Sequence, residues 1–224
     1  MPQDTRIRPL SWDELDLPSL LSNNRIADQF RFILEVEKLK QVLRMTPLLD
    51  ASRRENDAEH TWELALMAIV LTEHVDEPID IAHVLKMILI HDIVEIDAGD
   101  SFIYDAVAQS DQEAREKAAA DRIFGLLPLD QAVEFRATWD EFEARTTPEA
   151  RFARAMDRLQ PLLHNFFTSG GTWHSGGVSK ADVLDRKAPI KKSSESLWNA
   201  ASALIDEGVR RGFLDEGSPS SSDR

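Results

Sequence analysis

The stretch Ile81-Ala-His-Val-Leu-Lys-Met-Ile-Leu-Ile-His-Asp-Ile-Val-Glu95 constrains this chain more than any other. It has the length and apolar content of a buried helix, yet His91 and Asp92 stand inside it, flanked by Ile88, Leu89 and Ile90 before and Ile93 and Val94 after. Charged groups in such surroundings are costly unless paired or coordinated. Adjacent helical side chains lie roughly 100° apart around the axis, so both can lean toward one ion. Upstream, Asn56-Asp-Ala-Glu-His60 offers another imidazole; downstream, Ala155-Met-Asp157-Arg-Leu offers another carboxylate. The order His60, His91-Asp92, Asp157 supplies two nitrogens and two oxygens, a set suited to a divalent metal. Glu95, three residues after Asp92 and four after His91, shares their helix face. Taken singly, His60 or the His91-Asp92 pair reads as an ordinary core or surface residue. Their combination points to a polar site inside a helical bundle.

Helical periodicity runs through the rest of the chain, and nowhere do apolar and polar residues alternate long enough to suggest a sheet. Arg25 to Arg44 reads as an amphipathic helix with Ile26, Phe30, Ile33, Leu34, Val36, Leu39 and Leu43 on one stripe, ended by Pro47. Asn56 and Glu59 form a capping-box pattern ahead of the run Trp62 to Val75, with His60 in the first turn. Pro78 and Asp80 open the helix that carries His91, and Gly99 breaks it. Further helices are expected at Gln112 to Leu127, Pro128 to Ala144 and Pro148 to Phe167, the last with Thr147 as cap and Pro148 at its first position. Ser169 to Gly177 is a glycine-rich loop, and a final helix spans Ser179 to Gly212, bent at Pro189. The expected layout is all-α: a leader over 1–24, one helical-bundle domain over 25–214, and a Ser-rich disordered tail over 215–224.

Composition narrows the partners. The net charge is −14, whereas a nucleic-acid polymer calls for a broad basic surface. A small phosphorylated ligand stays open, because a metal and one or two cations can make a positive pocket inside an acidic protein. No apolar run approaches the roughly 20 residues of a membrane span; the longest is Leu64 to Leu71. No cysteine is present, so any metal must rely on His, Asp and Glu. The polar first residues precede no signal-peptide core, and a cytoplasmic protein is the expectation.

The segments Arg53-Arg-Glu-Asn-Asp-Ala-Glu-His60, Ile90-His-Asp-Ile-Val-Glu95, Gly99-Asp100 and Ala155-Met-Asp157-Arg-Leu resemble, in that order, the HD-domain metal-dependent phosphohydrolases, and more narrowly their 5′-deoxynucleotidase-like branch. The similarity extends from about Ile26 to Gly212. It implies a metal held by His60, His91, Asp92 and Asp157, proton transfer by Glu95, and a phosphate grip by Arg44, within Leu39-Lys-Gln-Val-Leu-Arg44. Read from its position alone, Arg44 is an exposed arginine at a helix end, favourable there with the helix dipole. Asp100 corresponds to the family's acidic residue near the sugar or the catalytic water, or else it caps the next turn.

The interval between Asp92 and Asp157 contains no histidine, unlike that of two-metal relatives, so a single ion is expected. A nitrogen–oxygen site accepts Mn, Fe, Co, Ni or Zn. His74, His83 and His164 read as helix-surface or partly packed residues, and His174 as a loop or dimer contact. The resemblance implies hydrolysis of (deoxy)nucleoside 5′-monophosphates by a homodimer. Two alternatives stay open: another small phosphate ester or a nucleotide polyphosphate as substrate, and a regulatory nucleotide-binding protein without turnover. In the bacterial members a tryptophan follows the phosphate-binding arginine. Here that position is Met45, which leaves sugar selectivity and base preference open.

Overall fold

The computed structural model describes residues 14–100, 111–175 and 177–217, together with Leu10 and Tyr104. Most of the expected leader's first half and all of the expected tail beyond Gly217 lie outside the described residues. Helices dominate the described chain, as the periodicity requires. A short α1 (Leu17–Leu21) leads into α2 (Asn24–Val36), whose cap is Asn23, its side chain accepting from Ile26 N.

The helix expected to continue to Arg44 stops at Val36. A 3₁₀ turn over Glu37–Gln41 follows, then strand β1 (Leu43–Pro47), antiparallel to β2 (Arg54–Asn56) with Leu43 opposite Asn56 and Pro47 opposite Arg54. Strands this short carry no readable alternation, and Pro47 ends a strand as naturally as a helix. Arg44 therefore sits on a strand. The Arg54 guanidinium buttresses the ribbon by donating to the carbonyls of Leu43 and Arg44.

The expected cap of α3 (Asp57–Leu71) forms in full: Asn56 accepts from Glu59 N at 3.0 Å, and Glu59 accepts from Asn56 N at 3.3 Å. Asp80 caps α4 (Ile81–His91) as expected. Here a second difference appears. The α-helix ends at His91; Asp92–Val94 is a 3₁₀ turn, and α5 (Glu95–Ala98) follows before Gly99 at φ +75°. Glu95 thus reaches the His91-Asp92 side through a tightened turn, and not along one continuous helix face.

Beyond residue 110 come α6 (Gln112–Phe124), α7 (Leu129–Ala144) and α8 (Pro148–Phe167), the last with the Thr147 cap and the Pro148 start that its sequence predicts. The glycine-rich loop encloses a short α9 (Thr172–Ser175), where Asn165 Oδ1 accepts from the backbone and hydroxyl of Thr172. Gly170 has φ +110°, and a Cβ there would lie 2.6 Å from the Phe213 carbonyl, so no larger residue fits. The long final helix is instead two: α10 (Lys180–Lys187) and α11 (Glu195–Arg210), joined by a 3₁₀ turn at Ala188–Lys192 that contains Pro189.

Helix α4 packs against α3, α7 and α8. Its last turn lies between two apolar clusters. Met87 and Ile88 belong to one, with Leu64, Phe152, Met156 and Trp173; Ile90, Ile93 and Val94 belong to the other, with Phe32, Ile123 and Trp139. Ile88 therefore serves one core, and Ile90 and Ile93, either side of His91-Asp92, serve the other, which fixes the pair at the seam between them. Helix α2 differs from its expected packing. It buries Ala27, Phe32 and Glu35, while Ile26, Phe30, Ile33 and Leu34 of the expected stripe are exposed.

Candidate metal and phosphate site

Each expected ligand comes from a separate, well-anchored position. His60 lies in the capped first turn of α3, His91 at the end of α4, Asp92 in the following 3₁₀ turn, and Asp157 in the middle of α8. All four are buried. His60 Nε2 is 3.2 Å from Asp157 Oδ1, and His91 Nε2 is 2.9 Å from Asp92 Oδ1 and 4.0 Å from Asp157 Oδ1. Ligand atoms of His60, His91 and Asp157 all fall within 4.8 Å of one another.

The hydrogen-bonding of the rings fits metal coordination. His91 Nδ1 donates to the Ile88 carbonyl at 2.7 Å, and His60 Nδ1 donates to Gln160 Oε1 at 3.1 Å. Each bond places the proton on Nδ1 and turns the Nε2 lone pair inward. Nε2 of His91 has no aligned hydrogen-bond partner among the described residues despite its burial. Such an atom calls for a cation. Electrostatics agree. Burial and Arg44 oppose protonation of His60, but Asp157 and Glu55 outweigh them and raise it to about 9. Burial pushes Asp157 upward, yet Arg158, His60 and Arg154 hold it well below the usual carboxylate range. Positive charge is favoured between these imidazoles and carboxylates, and two imidazole nitrogens with two carboxylates are a donor set that a divalent ion accepts.

Behind His60 lies a buried network that the sequence did not disclose. Gln160 Nε2 donates to Glu55 Oε1 at 2.8 Å and to Glu63 Oε2 at 2.7 Å, and lies 3.0 Å from His164 Nε2. His164 Nδ1 donates to the Pro47 carbonyl. His164 is thus a buried network member and not the helix-surface or partly packed residue expected. His83 does face outward, bonded to Glu141, and His174 donates to the Ser169 carbonyl within its loop.

Arg44 Nη1 is 3.1 Å from Asp57 Oδ1, 3.3 Å from Asp92 Oδ2 and 3.9 Å from Asp100 Oδ1. Its side chain is only 12% exposed, so the exposed-arginine reading fails. Asp57, Glu95 and Asp100 bring carboxylate oxygens within 4.8 Å of one another around it, an oxygen-only set that a count of histidines does not register. Burial, and then the charge of Asp92, raises Asp57 to about 6 and Glu95 well above the ordinary range. Burial therefore favours the protonated form of Glu95. Its Oε2 has no hydrogen-bond partner among the described residues.

These groups open into a cavity of about 750 Å³, a volume typical of small-molecule sites. Its lining includes Arg44, Met45, Asp92, Glu95 and Asp100, and also Arg154, Arg158, Arg186 and Lys187 from α8 and α10. Burial, with Arg158 next to it, brings Lys187 down to about 7, and burial with Arg154 brings Arg158 down to about 9. Neither residue was singled out in the sequence, where one adjoins Asp157 and the other closes an ordinary basic helix end.

This fold and this site define an HD-type helical hydrolase scaffold. The sequence profile of the HD domain matches residues 36–198, and the chain belongs to the HD-domain family. It is similar to the 5′-deoxynucleotidase HDDC2 of Mus musculus, at 28% identity over 146 residues covering 65% of this chain and 72% of that one. The Xenopus laevis protein of the same name is 30% identical over 134 residues, covering 59% and 65%. The crystal structure of a predicted metal-dependent phosphohydrolase from Magnetospirillum magnetotacticum MS-1 superposes with a TM-score of 0.83 at 56% identity, covering 87% of this chain and 97% of that one.

Proposed function

We propose that this metal-dependent phosphohydrolase cleaves (deoxy)nucleoside 5′-monophosphates to nucleoside and inorganic phosphate. The observation that carries the reading is the buried quartet His60, His91, Asp92 and Asp157, with imidazole lone pairs turned inward beside the nucleotide-sized cavity. The names of the relatives support the substrate class. The catalytic unit proposed is 25–214, and the matched profile falls within it.

In this reading His60, His91, Asp92 and Asp157 hold a divalent ion, which lowers the pKa of a bound water and offsets phosphate charge. Arg44 fixes the orientation of Asp92 and reaches a phosphate oxygen from the same guanidinium. Glu95, whose protonated form burial favours, gives its carboxyl proton to the departing sugar oxygen. Asp100, at the cavity edge beside Arg44, faces the sugar or the attacking water. Met45 lines the cavity and is 41% exposed; a thioether there grips deoxyribose less closely than a flat ring, so ribonucleotides are accepted as well.

The proposed assembly is a homodimer, which the outward apolar residues of α2 (Ile26, Phe30, Ile33, Leu34) and α3 (Trp62, Leu66, Ile69, Val70) support. No helix among the described residues is long and apolar enough to cross a membrane. A cytoplasmic place of action, beside the nucleotide substrate, is proposed.

Phosphate release measured over deoxy- and ribonucleoside monophosphates, nucleoside polyphosphates and simple phosphate esters, each with Mn, Fe, Co, Ni and Zn, tests the reading. Turnover concentrated on the monophosphates is expected. Preference for a polyphosphate or a simple ester overturns the substrate, and binding of nucleotides without any turnover replaces the enzyme with a regulatory protein.

A further inference from the structure

Two cations in the cavity wall have no close anionic partner of their own among the described residues. Lys187 is 3% exposed, lines the cavity, and has no ion pair or hydrogen bond through its ammonium to any described residue. Arg158, on α8, has a side chain 16% exposed; its one ion pair among the described residues is to Asp157 Oδ2 at 4.0 Å, beyond hydrogen-bond distance. That same oxygen is already paired with Arg154 Nη1 at 3.2 Å, and Asp157 turns its other oxygen to His60. Asp157 is therefore not a dedicated partner for either cation.

Arg44 shows the contrast. It is placed among Glu55, Asp57, Asp92 and Asp100 at 3.1 to 3.9 Å, so its charge is largely offset by the protein itself. Buried cations are normally paired, because a lone one loses its hydration without return. Lys187 and Arg158 come from different helices and converge on one cavity. Chance surface lysines and arginines do not do this; they keep their charged ends in water.

We infer that Arg158 and Lys187 form an anion subsite that takes the phosphoryl group of the substrate. The inference deepens the nucleotidase reading and rests on it for the identity of the anion. An ammonium and a guanidinium match the dianion of a phosphate monoester, which itself favours the charged form of Lys187, and equally that of the inorganic phosphate left after hydrolysis. They match a diester, with its single charge, less well. The subsite thus selects terminal phosphate esters over internal ones. Arg44 then serves to hold the acidic cluster together as much as to hold substrate.

The test is titration calorimetry of inorganic phosphate into the metal-loaded protein, with sulfate and chloride as comparison anions, for the parent, K187M, K187R and R158Q. Phosphate affinity should fall about tenfold or more in K187M and in R158Q, fall less in K187R, and leave metal content unchanged. Thermal unfolding gives a second readout. K187M removes an unpaired buried charge, so it should melt no lower than the parent, but phosphate should no longer raise its melting temperature. Unchanged phosphate affinity in both K187M and R158Q overturns the subsite, as does a K187M protein that melts well below the parent and is still stabilised by phosphate. Phosphate binding that depends on Lys187 in a protein hydrolysing no nucleotide would support the subsite and overturn the nucleotidase reading; nucleotide turnover with phosphate affinity indifferent to both substitutions would do the reverse.

Discussion

His60 Nδ1 donates to the side-chain oxygen of Gln160 at 3.1 Å, and the amide nitrogen of the same Gln160 is held between Glu55 and Glu63. The two carboxylates thereby fix which end of the amide faces His60, and the amide in turn fixes the tautomer of the imidazole. Q160L should remove that control without touching a proposed ligand. A metal affinity lower by about 10- to 100-fold, the usual effect of losing such an outer partner, should appear in chelator competition. Equal metal affinity in Q160L and parent would rule out this control of His60.

Glu95 separates proton transfer from metal binding. E95Q keeps the volume and removes the carboxyl proton, so turnover of the preferred nucleotide should fall by about 10²-fold or more while metal content and nucleotide affinity hold. D92N should lose metal along with activity, because it removes a charged ligand. Rapid-quench turnover paired with elemental analysis distinguishes the two outcomes. An E95Q protein as fast as the parent would reduce Glu95 to a structural carboxylate.

Glu35 makes stability depend on acid. It is buried, and burial raises its pKa, but Lys38 and Arg122, each at 2.7 Å, outweigh burial and leave it below the ordinary glutamate value. A folded pKa below the unfolded one means that its contribution is complete above the unfolded value, about 4.3, and is lost as pH falls through the folded one. E35Q should be less stable than the parent by about 1.5–3 kcal/mol at pH 7. Urea unfolding at a series of pH values should show that gap narrowing below pH 4. A gap that stays constant into acid would rule out the ionic contribution.

The exposed apolar residues of α2 test the assembly. I33E places a charge on a residue 61% exposed in the single chain, so it costs the monomer little. Light scattering should show about twice 25.3 kDa for the parent and 25.3 kDa for I33E. A parent that is monomeric at micromolar concentration would remove the dimer.

Local chemistry was the legible part of this chain. The Asn56–Glu59 capping box, the Asp80 cap and the Thr147-Pro148 start are each decided by a few neighbouring residues, and each forms as read. His91 and Asp92 could be singled out because polar residues inside an apolar run stand out, and His60 and Asp157 because they complete an ordered set of metal-capable residues; the fold brings these side chains within a few ångströms. The β1–β2 ribbon could not be read, because its strands are too short to show a period. The outward stripe of α2 escaped for another reason: an apolar face looks the same in sequence whether it meets its own core or another chain. Arg158 and Lys187 were hidden because their interest lies in converging on one cavity from two helices, which only three dimensions can show.

The basic wall formed by Arg158 and Lys187 lies inside a protein of net charge −14. An anionic nucleotide should thus be repelled at long range and captured at short range. Added salt shortens the screening distance, from about 10 Å at 0.1 M toward about 3 Å at 1 M, and relieves the outer repulsion before it reaches the enclosed cations. Arrival of substrate should therefore quicken as ionic strength rises from low values, and slow again only when the interior attraction is screened in turn. Encounter is fastest at an intermediate salt concentration, the opposite of an enzyme steered by its surface.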